Sequence, residues 1–230
     1  MFESFDFDVI ARSWRYLIFS GLAFTLQLTL YAMAGGLMAG TLLAMARLSR
    51  FKALAAVVGV YVNLVRALPL ILVIFWFYFL VPYIGQWLTG ASQPIKVGAL
   101  ASCIITFTLF EACYYCEIMR AGIQSVPQGQ LWAGRALGLK GWQVMAYVVL
   151  PQAFRNMLPL LLTQTIILFQ DVSLVYVLSM PDFLGSAAKV AQRDSRLVEM
   201  YVFVALVYFA LSYALSLGVK HLQARSAYPH

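Results

Sequence analysis

Charge is scarce in this 230-residue chain: Asp, Glu, Lys and Arg make up 11% of it, against 63% hydrophobic residues. A water-soluble globule of this length has too little interior for that load, and folding would leave apolar patches far larger than a monomer tolerates. With a mean hydropathy of +0.83, the chain is expected to be an integral membrane protein. Cysteine is also rare. The three present, Cys103, Cys113 and Cys116, form an odd set inside one apolar run, which excludes a secreted disulfide framework. Cys113 and Cys116 have CxxC spacing without a surrounding βαβ pattern, so at i and i+3 on a buried helix they read as small packing residues. The two histidines, His221 and His230, both lie in the C-terminal tail. No HExxH or comparable cluster supports a membrane-embedded enzyme, and no metal site is expected. The first eight residues are acidic and lack the basic n-region of a cleavable leader, so the first apolar segment is expected to remain in the mature chain.

What is abundant is the long hydrophobic run. Crossing about 30 Å of hydrocarbon at about 1.5 Å per residue takes about 20 residues. Five runs reach that length: 17–46, 53–81, 97–119, 157–180 and 200–219. Segment 81–94 has the Pro, Gly and Ser content of a loop, and 120–155 reads as a basic, Gly-rich loop containing short helices. The expected fold is therefore all-α and polytopic: an extracytoplasmic segment 1–16, a five-span membrane domain 17–222, and a tail 223–230. An odd number of spans puts the two ends on opposite sides.

The net charge of +7 does not indicate nucleic acid, because the basic residues are scattered through short loops, where anionic headgroups and the rule of membrane insertion account for them. Arg47, Arg50, Lys52, Arg120, Arg135, Lys140, Arg155, Lys220 and Arg225 fall on one side. Arg12, Arg15, Lys96, Lys189, Arg193 and Arg196 fall on the other, accompanied by Glu3, Asp6, Asp8, Asp182, Asp194 and Glu199. The bias predicts a cytoplasmic C-terminus and an external N-terminus.

Ionisable groups at bilayer depth cost about 2.5–3.5 kcal/mol on insertion scales and should face protein or a water-filled path. Arg66, near the middle of the second span, Glu111 in the third and Asp171 in the fourth are the candidates. Two readings stay open for Arg66. It lines a path and holds a substrate carboxylate bidentately, or it forms a structural ion pair with Asp171 or Glu111. Glu117 and Arg120, at i and i+3, read as a local pair. The GxxxG spacing of Gly36 and Gly40 suits helix packing within the subunit. The aromatic cluster from Phe75 to Phe79 fits an interfacial belt or the lining of a gate.

The loop after the third span is the longest polar interruption and lies on the basic side. It reads Gly129-Gln130-Leu131-Trp132-Ala133-Gly134-Arg135-Ala136-Leu137-Gly138-Leu139 and continues to Leu150-Pro151-Gln152-Ala153. Its helix, placed at 131–137, offers small residues, Ala133 and Gly134, for close approach of another surface. Gly138 is suited to φ > 0 at the helix end, and Pro151 is expected to start the next helix. This loop, 129–153, resembles the EAA motif of bacterial ABC importer permeases: Glu-Ala-Ala, three residues, Gly, then a short amphipathic helix closing on Leu-Pro. Trp132, Ala133, Gly134, Gly138, Leu150 and Pro151 occupy the matching positions, with Trp132 in place of the motif's Glu and Gly134 in place of its second Ala. The run from Glu117 to Gln130 and the run Tyr61-Val62-Asn63-Leu64-Val65-Arg66-Ala67-Leu68-Pro69-Leu70 resemble the polar amino acid permeases. The run from Leu162 to Tyr176 is similar to the glutamate/aspartate members, and the resemblance covers nearly the whole chain.

That resemblance implies a transmembrane subunit of an ATP-driven importer of polar amino acids, with glutamate or aspartate as expected cargo and another polar amino acid as the alternative. It implies a bacterial inner membrane location, a coupling role for the loop, and four kinds of partner: a dimer of ATP-binding subunits, a second permease subunit identical or homologous to this one, a periplasmic substrate-binding protein, and lipid. With Trp132 in place of the motif's carboxylate, the ATPase contact is expected to rest more on shape than on charge. No GxxxxGK[ST] pattern occurs in the chain, so ATP and Mg are expected on the partner, with no cofactor here and no enzymatic activity of the chain itself. A secondary transporter would show an inverted repeat and broken midplane helices, and the five unlike spans offer no such repeat.

Overall fold

The computed structural model describes residues 5–226, with side chains described through residue 224. Glu3, His230 and the side chain of Arg225 lie outside the described residues. Eight helices and no strand occur among the described residues. They are α1 (Phe7–Arg47), α2 (Lys52–Arg66), α3 (Leu70–Thr89), α4 (Ala99–Gln124), α5 (Gln128–Ala136), α6 (Gly141–Leu178), α7 (Phe183–Asp194) and α8 (Leu197–Ser226). Five of them, α1, α3, α4, α6 and α8, are long and apolar enough to cross a membrane.

Helix α1 starts earlier than the run 17–46. The Asp6 carboxylate caps it by accepting from the Asp8 N–H at 2.9 Å, and the chain is helical without a break from Phe7 through a π-helical stretch at Leu17–Leu22. Most of the segment 1–16 is thus the amphipathic beginning of the span, burying Val9 and Ser13.

The second span corrects the expected boundaries 53–81. Pro69 has no N–H to give and disfavours helical geometry at Leu68, so α2 closes at Arg66 with Leu68 N–H donating to the Val65 carbonyl at 3.2 Å. At 15 residues, α2 is about 22 Å long, too short to span. Helix α3 restarts at Leu70 and runs through the stretch read as a loop, 81–94, until Gly90 turns it off at φ 66°. Helix α6 likewise begins at Gly141, so Pro151 lies inside it rather than at its start. Pro82 and Pro151 are each tolerated because a π-helical stretch, Trp76–Leu80 or Val144–Val149, immediately precedes the ring and widens the turn that it would otherwise clash with.

The segment after the fourth span, expected only as a loop, contains α7. The Asp182 carboxylate caps it, accepting from the Leu184 and Gly185 N–H groups at 3.0 and 3.2 Å. Burial pushes that carboxyl up to about 7 against the pull of these bonds. The Phe183 N–H donates to Thr25 Oγ1 of α1 at 3.0 Å, and Phe183, Ala187, Val190 and Ala191 pack with Leu17 and Leu22 of α1 and with Met200 and Val204 of α8.

The main seam of the bundle joins α1 to α4. A Cβ on Gly36 would meet Glu111 Cβ at 3.0 Å, and one on Gly40 would meet the Ala112 carbonyl oxygen at 2.9 Å. The GxxxG pair therefore serves packing within the subunit, as its spacing implies. Cys113 and Cys116 are buried against Ala44, Val58 and Val62, which bears out their reading as packing residues. Spans are also tied by polar bonds: Tyr115 Oη to Thr165 Oγ1 at 3.1 Å, and Gln170 Nε2 donating to Ser212 Oγ at 3.0 Å. Gly40→Val should force α1 off α4 because its neighbour is backbone and has no rotamer to yield. The expected loss is about 1–3 kcal/mol, read as a lowered melting temperature in detergent, and a melting temperature equal to the native one would contradict the seam.

Candidate functional site

Two regions collect the residues singled out by sequence. The first lies where helices are interrupted. Arg66 occupies the last turn of α2, a position favoured for a cation, and its Cζ sits 5.1 Å from the centre of the Tyr114 ring of α4. Among the described residues no carboxylate is within ion-pair reach of it, so of the two open readings the ion pair with Asp171 or Glu111 is not formed. The guanidinium is held by a π face instead. Asp171 stands where α6 changes from α-helical to a seven-residue 3-10 stretch, Val172–Leu178. It is half-buried and has no hydrogen-bond or ion-pair partner among the described residues.

Glu111 departs from the expectation of a path residue. Its side chain is fully enclosed, and it accepts from Gln164 Nε2 of α6 at 3.1 Å. It cross-links α4 and α6 rather than facing an opening. Tyr114 escaped sequence reasoning, although it lies three residues after Glu111 in the same run. Val65, Leu68, Tyr114 and Leu174 together border the apolar cluster of Leu70, Phe110, Val172 and Val175.

The second region is α5 and its turn. Residues 135–139 close α5 with paired bonds, Gly138 N–H to the Arg135 carbonyl at 2.9 Å and Leu139 N–H to the Gly134 carbonyl at 3.2 Å. Such a turn needs a left-handed residue, and Gly138 has φ 80°, as its position implies. Trp132, Ala133 and Leu137 are exposed, with Trp132 and Leu137 showing 63% and 83% of their surface. Arg135 lies over the Trp132 ring at 5.6 Å.

Gly134 is the correction here. It is buried, and a Cβ on it would meet Val144 Cγ2 at 3.2 Å, so its smallness serves the contact of α5 with α6 and not an outside surface. Val126, Val144, Val149 and Ala153 form the cluster beneath it. Leu150 is exposed, and Pro151 lies within α6.

Charged side chains separate to the two ends of the bundle. At the α5 end, Glu117 pairs with Arg120 at 2.8 Å and with Arg47 of α1. The local pair 117–120 is formed, and Arg47 extends it across helices. At the other end, Arg12 meets Asp194 at 3.2 Å, and Arg196 meets Glu199 at 3.2 Å and Asp6 at 3.6 Å.

Residues 36–228 match the family described as binding-protein-dependent transport system inner membrane component. The chain belongs to this family. It is 48% identical over 227 residues to the glutamate/aspartate import permease protein GltK of Escherichia coli O6:H1, covering 99% of this chain and 100% of that one. It is 35% identical to the probable glutamine ABC transporter permease protein GlnP of Bacillus subtilis, covering 83% of each. Among solved structures, an amino acid ABC transporter with histidines superposes with a TM-score of 0.86 at 28% identity, over 96% of this chain and 98% of that chain. The MetNI methionine ABC transporter, at TM-score 0.65 and 19% identity over 96% and 97% of the two chains, shares the fold. As a member of this family, the chain is a multi-pass inner membrane protein of a binding-protein-dependent transport system.

Gly138→Val places a β-branched residue at φ 80°, where L residues lose about 1–2 kcal/mol and branched ones more. The expected result is an inserted protein with normal abundance whose α5 turn is cleaved faster by added protease. Unchanged protection would show that the turn does not depend on Gly138.

Proposed function

We propose that this chain is the membrane subunit of an ATP-driven importer for acidic amino acids, glutamate or aspartate. The observation that carries the reading is the full-length likeness to a permease named for those two substrates, at 48% identity, joined to an Arg66 guanidinium that no carboxylate of the described residues neutralises. Such a group matches a substrate carboxylate in planar, bidentate fashion.

In this reading the α5 end faces the cytoplasm, as the excess of Lys and Arg there supports, and ATP with Mg binds to a separate pair of ATPase subunits. Trp132, Ala133 and Leu137 form the surface that docks on them, with Gly138 fixing the turn. Gly134 seats that surface on α6 through Val144, and α6 carries Leu150 and Pro151. A second permease subunit, identical or homologous, completes the path, and a periplasmic binding protein delivers substrate to the opposite end. Closure of the ATPase pair displaces α5 only if the loop makes different contacts in the two nucleotide states. Because Trp132 replaces a carboxylate, the contact is apolar where the motif's Glu would be charged, and shape carries the docking.

Uptake of labelled glutamate into vesicles bearing the complete set of subunits tests this directly. Uptake should require ATP and the ATPase subunits, and Arg66→Lys, which keeps the charge and loses the fork, should lower it about tenfold or more at normal abundance. Glutamate uptake driven without the ATPase subunits would refute the importer assignment, and full uptake by Arg66→Lys would remove Arg66 from the path.

A further inference from the structure

A groove of about 680 Å³ runs between α1, α6 and α8. Leu22 and Leu26 of α1, Leu162 and Phe169 of α6, and Ala214 and Gly218 of α8 are among its walls. The contributing positions recur every three or four residues on α6 and on α8, so each of these helices turns one continuous stripe toward it. The groove is open along its side, where Leu26 and Leu215 show 51% and 52% of their surface. A Cβ on Gly218 would meet nothing within 4 Å. Side chains of the protein therefore leave this space unfilled at a depth where hydrocarbon surrounds the bundle.

The chemistry of the walls excludes water and a polar ligand. The two polar residues that line the groove, Thr29 and Thr165, donate their hydroxyls to the Thr25 and Leu161 carbonyls of their own helices at 2.7 and 2.9 Å, and every other lining residue is apolar or glycine. A second groove along the same two helices differs, being lined by Gln170, Ser173, Ser212 and Ser216, the kind of residues that suit a protein neighbour or a wet path. Size excludes a helix from the apolar groove. It follows α8 from Leu211 to Val219, about 12 Å at helical rise, which leaves a section of about 60 Å², while a helix with its side chains is about 10–12 Å across and needs about 80 Å² or more. Acyl chains are narrower.

Charge at one end of the groove specifies the lipid. On α6, Arg155 stands two turns before Leu162 on the same face, about 10 Å nearer the α5 end, and is exposed. A guanidinium has five N–H donors in a planar fork, so it can hold a phosphate besides the interaction that Arg155 already makes. The α8 backbone carries Arg225 at the corresponding position, seven residues past Gly218. We propose that this groove is a binding site for one anionic phospholipid of the surrounding bilayer, with an acyl chain between α1, α6 and α8 and its phosphate against Arg155. The bound chain joins α8 to α1 along a line where side chains leave a gap, and it borders α6, the helix on which α5 rests. The inference depends on membrane insertion and is independent of the cargo and of the ATPase contact.

The full-length chain, purified with the partner subunits that it retains and stripped of lipid, is titrated with phosphatidylglycerol and with phosphatidylcholine of identical acyl chains, and binding of the first lipid is followed by native mass spectrometry. The native protein should hold phosphatidylglycerol about fivefold more tightly than phosphatidylcholine, the effect of about one cation beside an anionic headgroup. Arg155→Gln should remove that preference by weakening phosphatidylglycerol alone. Gly218→Leu, which enters open space and favours the helix, should fill the groove and weaken both lipids about tenfold. Equal affinity of the native protein for the two lipids, which requires no variant, would overturn the proposal. Native affinity for both lipids in Gly218→Leu would do so as well, as would an unchanged preference in Arg155→Gln. A Gly218→Leu chain that loses its partner subunits but keeps its lipid affinity would show that a protein surface, and not a lipid, fills the groove.

Discussion

The close approach of α1 and α4 at Gly36 and Gly40 is the constraint on which the rest of the bundle depends. Lipid tails are as apolar as the helix surfaces, so no hydrophobic drive holds spans together, and packing must come from contact that only small residues permit. With Gly40 against the Ala112 carbonyl and Gly36 against Glu111 and Tyr115, α4 is locked in rotation. That rotation turns Glu111 and Tyr115 toward Gln164 and Thr165 of α6 and leaves Tyr114 for the Arg66 guanidinium. One steric seam thus sets the positions of three side chains of different role.

Around this rigid pair, the chain places its irregular backbone. The break after Arg66, the π-helical stretch before Pro151 and the 3-10 stretch after Asp171 all occur on helices that pack against α4 or follow it. Helix α5 bears on α6 through Gly134 and Val144, and α6 then runs from that contact to Asp171, 27 residues on, or about 40 Å at helical rise. In the proposed importer, a push on α5 would pass along α6 to Val172 and Val175, which pack beside Tyr114. Charge pairs at each end, Arg47 with Glu117 and Arg120 on one side and Arg12 with Asp194 on the other, fix how the helices meet there without entering the middle.

Much of this was legible in the sequence, because its signals are local. Five apolar runs announce the spans, Gly138 announces a left-handed turn, and the loop from Gln130 to Pro151 carries a recognisable pattern of small residues. Boundaries were harder where two effects compete. Pro82 read as part of a loop and Pro151 as the start of a helix because a proline in a regular helix costs a bond, and only π-helical geometry, which depends on the tertiary setting, removes that cost. Pro69 ended its helix as a proline should, yet its effect was masked by an unbroken apolar run. Helix α7 was missed because Gly185, Ala187 and Ala188 give it too little hydropathy for a span, although Asp182 before Phe183 is an N-cap signal of the ordinary kind. The partners of buried groups were the least legible. Arg66 with Tyr114 and Glu111 with Gln164 join residues 48 and 53 positions apart, and no local pattern encodes which cation finds a ring and which carboxylate finds an amide.

In the proposed importer, nucleotide state at the α5 end controls access to the residues beside Arg66. Ala67 is exposed at the break between α2 and α3, so a single cysteine there, in a chain whose three buried native cysteines are replaced, reports on that access. In the fully assembled transporter, a membrane-impermeant thiol reagent should reach residue 67 from the α5 side when nucleotide is absent and from the opposite side when ATP is trapped. Labelling from the same side in both states would show that nucleotide does not control that access.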